Sequence, residues 1–303
     1  MSIALLLFPD FALILLGNLF RRLMHLGDHF WAGLEKLIYF VLFPAMLFLA
    51  LTRTRIDFAA VAPLVYVGGL ATAAGILLAR LTPLLFPAFR QGKLSFAAQF
   101  QCGFRVNTYI GLALAGTLHG AAGIAAMGVL LGVMVPIVNI VAVWMLARHG
   151  EAKLWRELVR NPLVLATLGG ILFNLAGLAL PRPAQALLIR LADASLALGL
   201  LAVGAALKLR GHPADATQLG GRVYLLAVKL MAMPALAWAL ARQFALSGVY
   251  FDVAVAFAAL PTAGSAYILA QRMGADGSGV AWLISLSTLL AMASLPLWLA
   301  LIA

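Results

Sequence analysis

Between Ile3 and Ile302 the sequence is a succession of unbroken apolar runs joined by short connections that hold most of its charge. The runs fall at 3–20, 30–51, 58–79, 94–116, 121–147, 162–180, 184–207, 221–244, 250–271 and 278–302. A helix needs about 20 apolar residues to cross a hydrocarbon core. Barrel strands are about half as long and alternate apolar with polar. The reading is therefore an all-α polytopic membrane protein with ten transmembrane segments. Composition agrees: 64% of residues are hydrophobic and 10% charged, whereas soluble domains run near 45–50% and about 25%. So few polar groups cannot cover a surface facing water.

The formal net charge of +11 raises nucleic acid as a partner, but that needs a basic soluble face. Here the cations sit between apolar runs. Connections after segments 1, 3, 5, 7 and 9 hold thirteen Lys and Arg, among them Arg21, Arg22, Arg80, Lys93, Arg148 and Arg222; the other connections hold five. The positive-inside rule then places the thirteen in the cytoplasm and both termini on the far side of a cell inner membrane. Segment 3–20 lacks a basic leader, contains Asp10 and has no small-residue cleavage site, so it is a first span and not a signal peptide. The lone Cys102 excludes an internal disulfide and a cysteine-based zinc site.

Enzyme chemistry finds no footing. No Gly-x-Ser-x-Gly elbow, paired aspartates, metal-spaced histidines or phosphate-binding loop occurs. His25, His29, His119, His149 and His212 all fall at segment ends or in connections. No cofactor is expected beyond a coupling sodium ion or proton. Trp31, Trp144, Trp155, Trp282 and Trp298 fall mostly near segment ends and read as interfacial anchors.

Five segments per half would set two similar halves upside down relative to each other. Pro9 and Gly17, then Phe20, in segment 1 match Pro162 and Gly170, then Phe173, in segment 6. The halves are 1–147 and 162–303, with 148–161 as a cytoplasmic connection. Polarity concentrates in the fourth member of each. Segment 4 reads Gln99-Phe-Gln101-Cys-Gly103-Phe-Arg105-Val-Asn107-Thr108-Tyr109, and segment 9 reads Leu260-Pro261-Thr262-Ala-Gly264-Ser265-Ala-Tyr267. Pro261 removes a helix hydrogen bond, and Gly264 and Ser265 follow, so segment 9 is predicted to be interrupted. Interrupted backbone at membrane depth must be buried in protein or line a cavity. Paired interruptions in two halves point to a transport site.

Several runs together resemble the auxin efflux carrier family: Arg160-Asn161-Pro162-Leu163 with Gly170 and Pro181, Leu260 to Ala270 around Pro261, Arg105-x-Asn107-Thr108, and Ser287-Thr288-Leu289-Leu290 with Pro296. The resemblance covers nearly the whole chain, and the short central connection is similar to the prokaryotic branch. It implies ten helices in two inverted five-helix repeats, a scaffold set beside a transport domain, and broken, crossing helices 4 and 9. It also implies carriage of small organic anions. Family members usually carry a proline shortly after the segment 4 asparagine, where this chain has Ala113. The break in segment 4 must then rest on Gly103, Gly111 and inserted side chains.

On this reading the substrate, a carboxylate, is held by residues of segments 4 and 9. Arg105 is too deep for easy snorkelling and serves as a carboxylate-binding or charge-balancing cation, against a structural alternative. Asn107, with Thr108 beside it, hydrogen-bonds substrate or caps a half-helix; the plainer alternative is a helix–helix hydrogen bond. Thr262 and Ser265 lie near a new helix N-terminus, whose amides favour an anion. Pro261 shapes the break. Tyr109 and Tyr267 cover substrate or simply pack. Asp193 and Asp10 are the candidates for sodium or proton coupling, Asp193 alternatively pairing with a cation such as Lys229, while Asp252 reads as interfacial. Two rivals stand beside this carrier: a sodium- or proton-coupled organic-anion symporter of the bile-acid carrier type, and a membrane receptor or scaffold without transport. The partners are a small organic anion and the bilayer, with a homodimer as an open assembly and no nucleic acid.

Overall fold

The computed structural model describes residues 3–24, 26–53, 58–91, 93–147, 162–207, 216–275 and 277–302. The connection expected at 148–161, with His149, Trp155 and the Arg160-Asn161 pair, lies outside the described residues, as do His25, Arg55, Lys208, Arg210 and His212.

Every regular element among the described residues is helical. Helix α1 is Ile3–Leu23; α2 runs Asp28–Leu37, through a π turn at Ile38–Leu42, to Phe43–Arg53; α3 is Phe58–Arg80. Two single turns lead to α4, Lys93–Phe100, which tightens into a 3-10 turn at Gln101–Gly103. Helix α5 is Thr108–Ala147, α6 is Pro162–Leu175 and α7 is Arg182–Ala206. Helix α8 runs Ala216–Ala227, through a π turn at Val228–Ala232, to Met233–Gln243; α9 is Gly248–Ala259, α10 Ser265–Arg272 and α11 Ser278–Ile302. Six described stretches are long and apolar enough to cross a membrane: Asp28–Arg53, Val61–Leu85, Lys93–Leu146, Arg182–Ala206, Thr217–Gln243 and Ser278–Leu301. Large side chains such as Tyr66, Leu77, Leu187 and Leu297 stand exposed along these helices, a surface that lipid covers at no cost and water does not.

The chain forms two compact units, each drawing on both halves of the sequence. The first comprises Met1–Val61, Tyr109–Val133 and Trp155–Ala206. In it α1 packs along α7 and α6 along α2. Glycine sets how close α1 and α7 come: a β-carbon on Gly17 would run into the Leu201 carbonyl, and one on Gly204 into that of Ile14. Close backbone approach over small residues is the usual way helices gain contact in lipid, where burial gives no hydrophobic advantage. Asn18 Nδ2 donates to the Gly204 carbonyl at 3.2 Å and Arg21 Nη1 to that of Ala205 at 2.6 Å, tying the same two helices. Likewise Gly170 of α6 meets Leu51 of α2, where Asn174 Nδ2 donates to the Leu51 carbonyl at 2.8 Å. The two glycines of the repeated Pro-to-Gly frame, Gly17 and Gly170, are thus both contact points.

Helix α5 is two helices in series. Its 40 residues would reach about 60 Å if straight, but His119 and Gly120 leave helical geometry, Gly120 at φ 55°. The chain doubles back there, because Gly116 lies against Ile124 and Gly123 against the Ala115 carbonyl. Only glycine adopts that positive φ without strain. The reversal falls in the gap predicted between segments 4 and 5.

The second unit comprises Ala62–Thr108, Met134–Leu154 and Leu207–Ala303. Its centre is α9, whose residues from Val253 to Ala259 are all buried. A short helix apolar on every side is a core element. In the same unit Phe89, Phe96, Phe100 and Phe104 stack in sequence at 5.0 to 6.2 Å between ring centroids. Trp298, expected as an interfacial anchor, donates Nε1 to the Leu230 carbonyl at 2.9 Å. In a regular α-helix that carbonyl would bond the amide of residue 234, and Pro234 has none. Trp31, in the first unit, is buried within the protein.

Candidate functional site

The two interruptions foreseen in segments 4 and 9 both exist. The helical turn after α4 ends at Gly103, residues 105–107 are non-helical and helix resumes at Thr108. Helix α9 ends at Ala259, and helix resumes at Ser265. Each break leaves backbone groups without their helical partners, and each supplies what the other lacks. The Asn107 amide donates to the Pro261 carbonyl at 2.8 Å. The Thr262 hydroxyl donates to the Cys102 carbonyl at 2.8 Å. That inserted hydroxyl, with Gly103, holds the first break open without the family's proline: a β-carbon on Gly103 would collide with Ala79 and press on Leu225. Gly111, also considered, lies inside regular helix beyond the break.

Pro261 acts as expected. Without an amide it leaves the Phe257 carbonyl to a longer 3-10 bond from Leu260 at 3.4 Å. The Thr262 amide, the helical partner of Ala258, donates to Ser287 Oγ at 3.2 Å. The freed Ala258 carbonyl accepts from Lys229 Nζ at 2.7 Å.

Arg105 is 5% exposed. Its Nη1 donates to Gln101 Oε1 at 2.7 Å, and its Nη2 to Asn139 Oδ1 at 2.6 Å and Ser265 Oγ at 3.1 Å. Gln101 is itself braced, Nε2 donating to the Ala98 and Ala266 carbonyls at 3.1 Å each. A planar fork of five donors suits such a cage, which fixes the guanidinium beside the first residue of α10. A second buried arginine, Arg222, donates Nε to Gln99 Oε1 at 2.8 Å and lies 5.9 Å from the centre of the Trp282 ring.

Of the predicted residues, Arg105 and Ser265 meet directly, Asn107 and Pro261 meet through backbone, Thr262 bridges to the first break, and Thr108 starts α5. Tyr109 and Tyr267 make other contacts. Tyr109 packs on Phe43 at 4.8 Å between ring centroids in the first unit, and Tyr267 packs on Gly277 with its hydroxyl accepting from Gln271 Nε2 at 3.3 Å. Asp10 accepts from Thr117 Oγ1 at 3.0 Å, also in the first unit, and Asp193 is exposed on α7.

Asn139 and Ser287 also bond to the residues of the two breaks, beyond those the sequence points to. Asn139 carries a readable signal, a single amide in the apolar run Val-Pro-Ile-Val-Asn-Ile-Val-Ala-Val. Gln101 stood in the polar string of segment 4, but nothing in the sequence separates it from Gln99.

Comparison with known proteins places the chain among membrane transporters. Residues 145–299 match the family described as "Membrane transport protein". Over 307 aligned residues the chain is 28% identical to a Rhizobium meliloti (strain 1021) protein named "Putative malonate transporter", covering 95% of this chain and 92% of that one. It is 27% identical over 297 residues to an "Uncharacterized transporter" of Methanothermobacter thermautotrophicus, covering 94% of each. The family match spans half of the chain, and six of its described helical stretches are long and apolar enough to cross a membrane, so the protein is a multi-pass membrane transporter and not an enzyme, and it belongs to the auxin efflux carrier family.

Proposed function

We infer that the protein is a secondary carrier of a small organic anion, a carboxylate, which it exposes alternately to the two sides of the membrane from a site at the paired breaks. The observation that carries this reading is the mutual completion of the two breaks beside the buried guanidinium of Arg105. Charge supports the sign of the substrate. The second unit buries Arg105, Arg222 and Lys229, while Asp252 is the single acid among its described residues. Cations held at depth favour an anionic passenger. Asn107, Thr262 and Ser265, at the entry of α10, are the groups that would orient a carboxylate.

The same reading makes the ten segments ten crossings in two inverted repeats, 1–147 and 162–303, joined by a cytoplasmic connection at 148–161. Both termini then face away from the cytoplasm of a cell inner membrane. Matched breaks and the matched contacts of Gly17 and Gly170 support the repeat.

The test is counterflow in proteoliposomes with a panel of mono- and dicarboxylates, headed by malonate because a relative bears that name. Saturable exchange that falls about tenfold in Asn107→Ala or Arg105→Ala is expected. Unchanged exchange in both variants would refute the site, and binding without exchange would make the protein a receptor.

A further inference from the structure

We propose that the ammonium group of Lys229 is a resident cation of the second break, tethered where a coupled carrier would hold a metal cation, and that it makes transport independent of sodium.

Lys229 is fully buried, and its Nζ donates to the Ala258 carbonyl at 2.7 Å, with Met233 Sδ at 3.9 Å as its other polar neighbour. No carboxylate pairs with it among the described residues. Leaving a charge buried without a counter-charge costs several kcal/mol, so something specific must offset it. Ala258 ends α9 next to Ala259, at the negative end of the helix dipole. Its carbonyl is free of the usual amide because Thr262 N–H turns to Ser287. A half-helix C-terminus with a released carbonyl is where discontinuous helices of coupled carriers coordinate their ion. Here a covalently attached cation sits on that carbonyl.

The backbone around Lys229 is adapted to this placement. The residue lies in the π turn Val228–Ala232, and single π turns within α-helices recur at functional sites. The turn precedes Pro234, and Trp298 takes up the Leu230 carbonyl that the proline leaves over. On this proposal each break carries one basic side chain, Arg105 at the first and Lys229 at the second. An anion then finds its positive potential without an ion entering beside it.

The transport readout rests on the carrier reading above; the stability readout does not. The protein is reconstituted in phosphatidylethanolamine/phosphatidylglycerol vesicles, and malonate counterflow is measured in sodium chloride and in choline chloride. The parent is expected to carry equally in both. Lys229→Ala is expected to lose about tenfold in choline and to recover several-fold with ethylammonium chloride, which refills most of the space of the deleted aminopropyl group, but not with ethanol. Lys229→Met keeps the bulk, lacks the charge and leaves no space, so it should stay slow in every salt. Sodium-dependent flux in the parent overturns the proposal, and so does Lys229→Met working at the parent rate. Should the parent carry no anion at all, the carrier reading fails alone and thermal midpoints decide: ethylammonium should raise that of Lys229→Ala above its value in ethanol and leave the parent unmoved, and no difference overturns the proposal. Should Lys229→Ala not fold even when purified in ethylammonium chloride, Lys229→Met decides: a midpoint equal to the parent's overturns the proposal, and a lowered one supports it.

Discussion

The amide of Asn107 donates to the carbonyl of Pro261 at 2.8 Å, across 154 positions of sequence. A proline carbonyl is an ordinary acceptor; its missing amide keeps the chain from running on as helix and so leaves the carbonyl to an outside donor. Pro261→Ala returns an amide that can reach Phe257, removing a helix penalty of about 3 kcal/mol. The expected outcome is a thermal midpoint equal to or above the parent's, with counterflow reduced about tenfold. Normal flux would show that the break is dispensable.

Thr262→Val removes the hydroxyl on the Cys102 carbonyl while keeping its shape. A buried acceptor left without a donor costs about 1–3 kcal/mol. Thermal unfolding in detergent should show that loss, and Thr262→Ser should restore most of it.

The cage around Arg105 separates position from charge. Asn139→Leu takes away the acceptor at 2.6 Å, and a hydrogen bond to a charged group is worth about 1.5–3 kcal/mol. Substrate affinity in that variant should fall with maximal flux largely kept, since the guanidinium stays but is less well held. Arg105→Lys keeps the charge and loses the fork, so it should lose more than Asn139→Leu. The reverse ranking in counterflow titrations would contradict the cage.

Between α1 and α7, Gly204→Val would force a branched side chain into the Ile14 backbone. Overpacking of this kind costs about 1–3 kcal/mol where neighbours can shift, and backbone cannot shift cheaply. The expected result is loss of the monodisperse peak in size-exclusion chromatography, with Gly204→Ala intermediate.

Asp193 and Asp10 drew attention in the sequence as sites of ion coupling. With Asp193 exposed on α7 and Asp10 held by Thr117, a sodium-independent carrier needs neither. Asp193→Asn and Asp10→Asn should therefore carry malonate within about twofold of the parent in choline chloride. A collapse of flux in either would restore a coupling role.

What could be read from the sequence followed from local physics. Continuous apolar runs fixed the helical class, Pro261 with Gly264 marked the second break, and Gly120 fell in the gap where α5 reverses. The first break was harder to read because no proline announces it. Its cause, the Thr262 hydroxyl, lies 160 positions from the carbonyl it meets. Asn139 escaped for the same reason, since its pairing with Arg105 depends on how helices pack and not on any local pattern. For the tyrosines the sequence leaves covering the substrate and simple packing both open, because adjacency to a polar motif does not say which way a ring faces; in the structure Tyr109 contacts Phe43 and Tyr267 contacts Gly277.

Reciprocal bonding between the breaks also bears on biogenesis. Chains are made from the N-terminus, so the Cys102 carbonyl and the Asn107 amide are synthesised long before Thr262 and Pro261 exist. Released into lipid at that stage, they would face hydrocarbon unsatisfied, at several kcal/mol for each group. The fourth segment must therefore wait in a hydrated or chaperoned setting until the ninth arrives. A truncated chain ending before Leu260 should remain associated with the insertion machinery, whereas one extending past Arg272 should leave it.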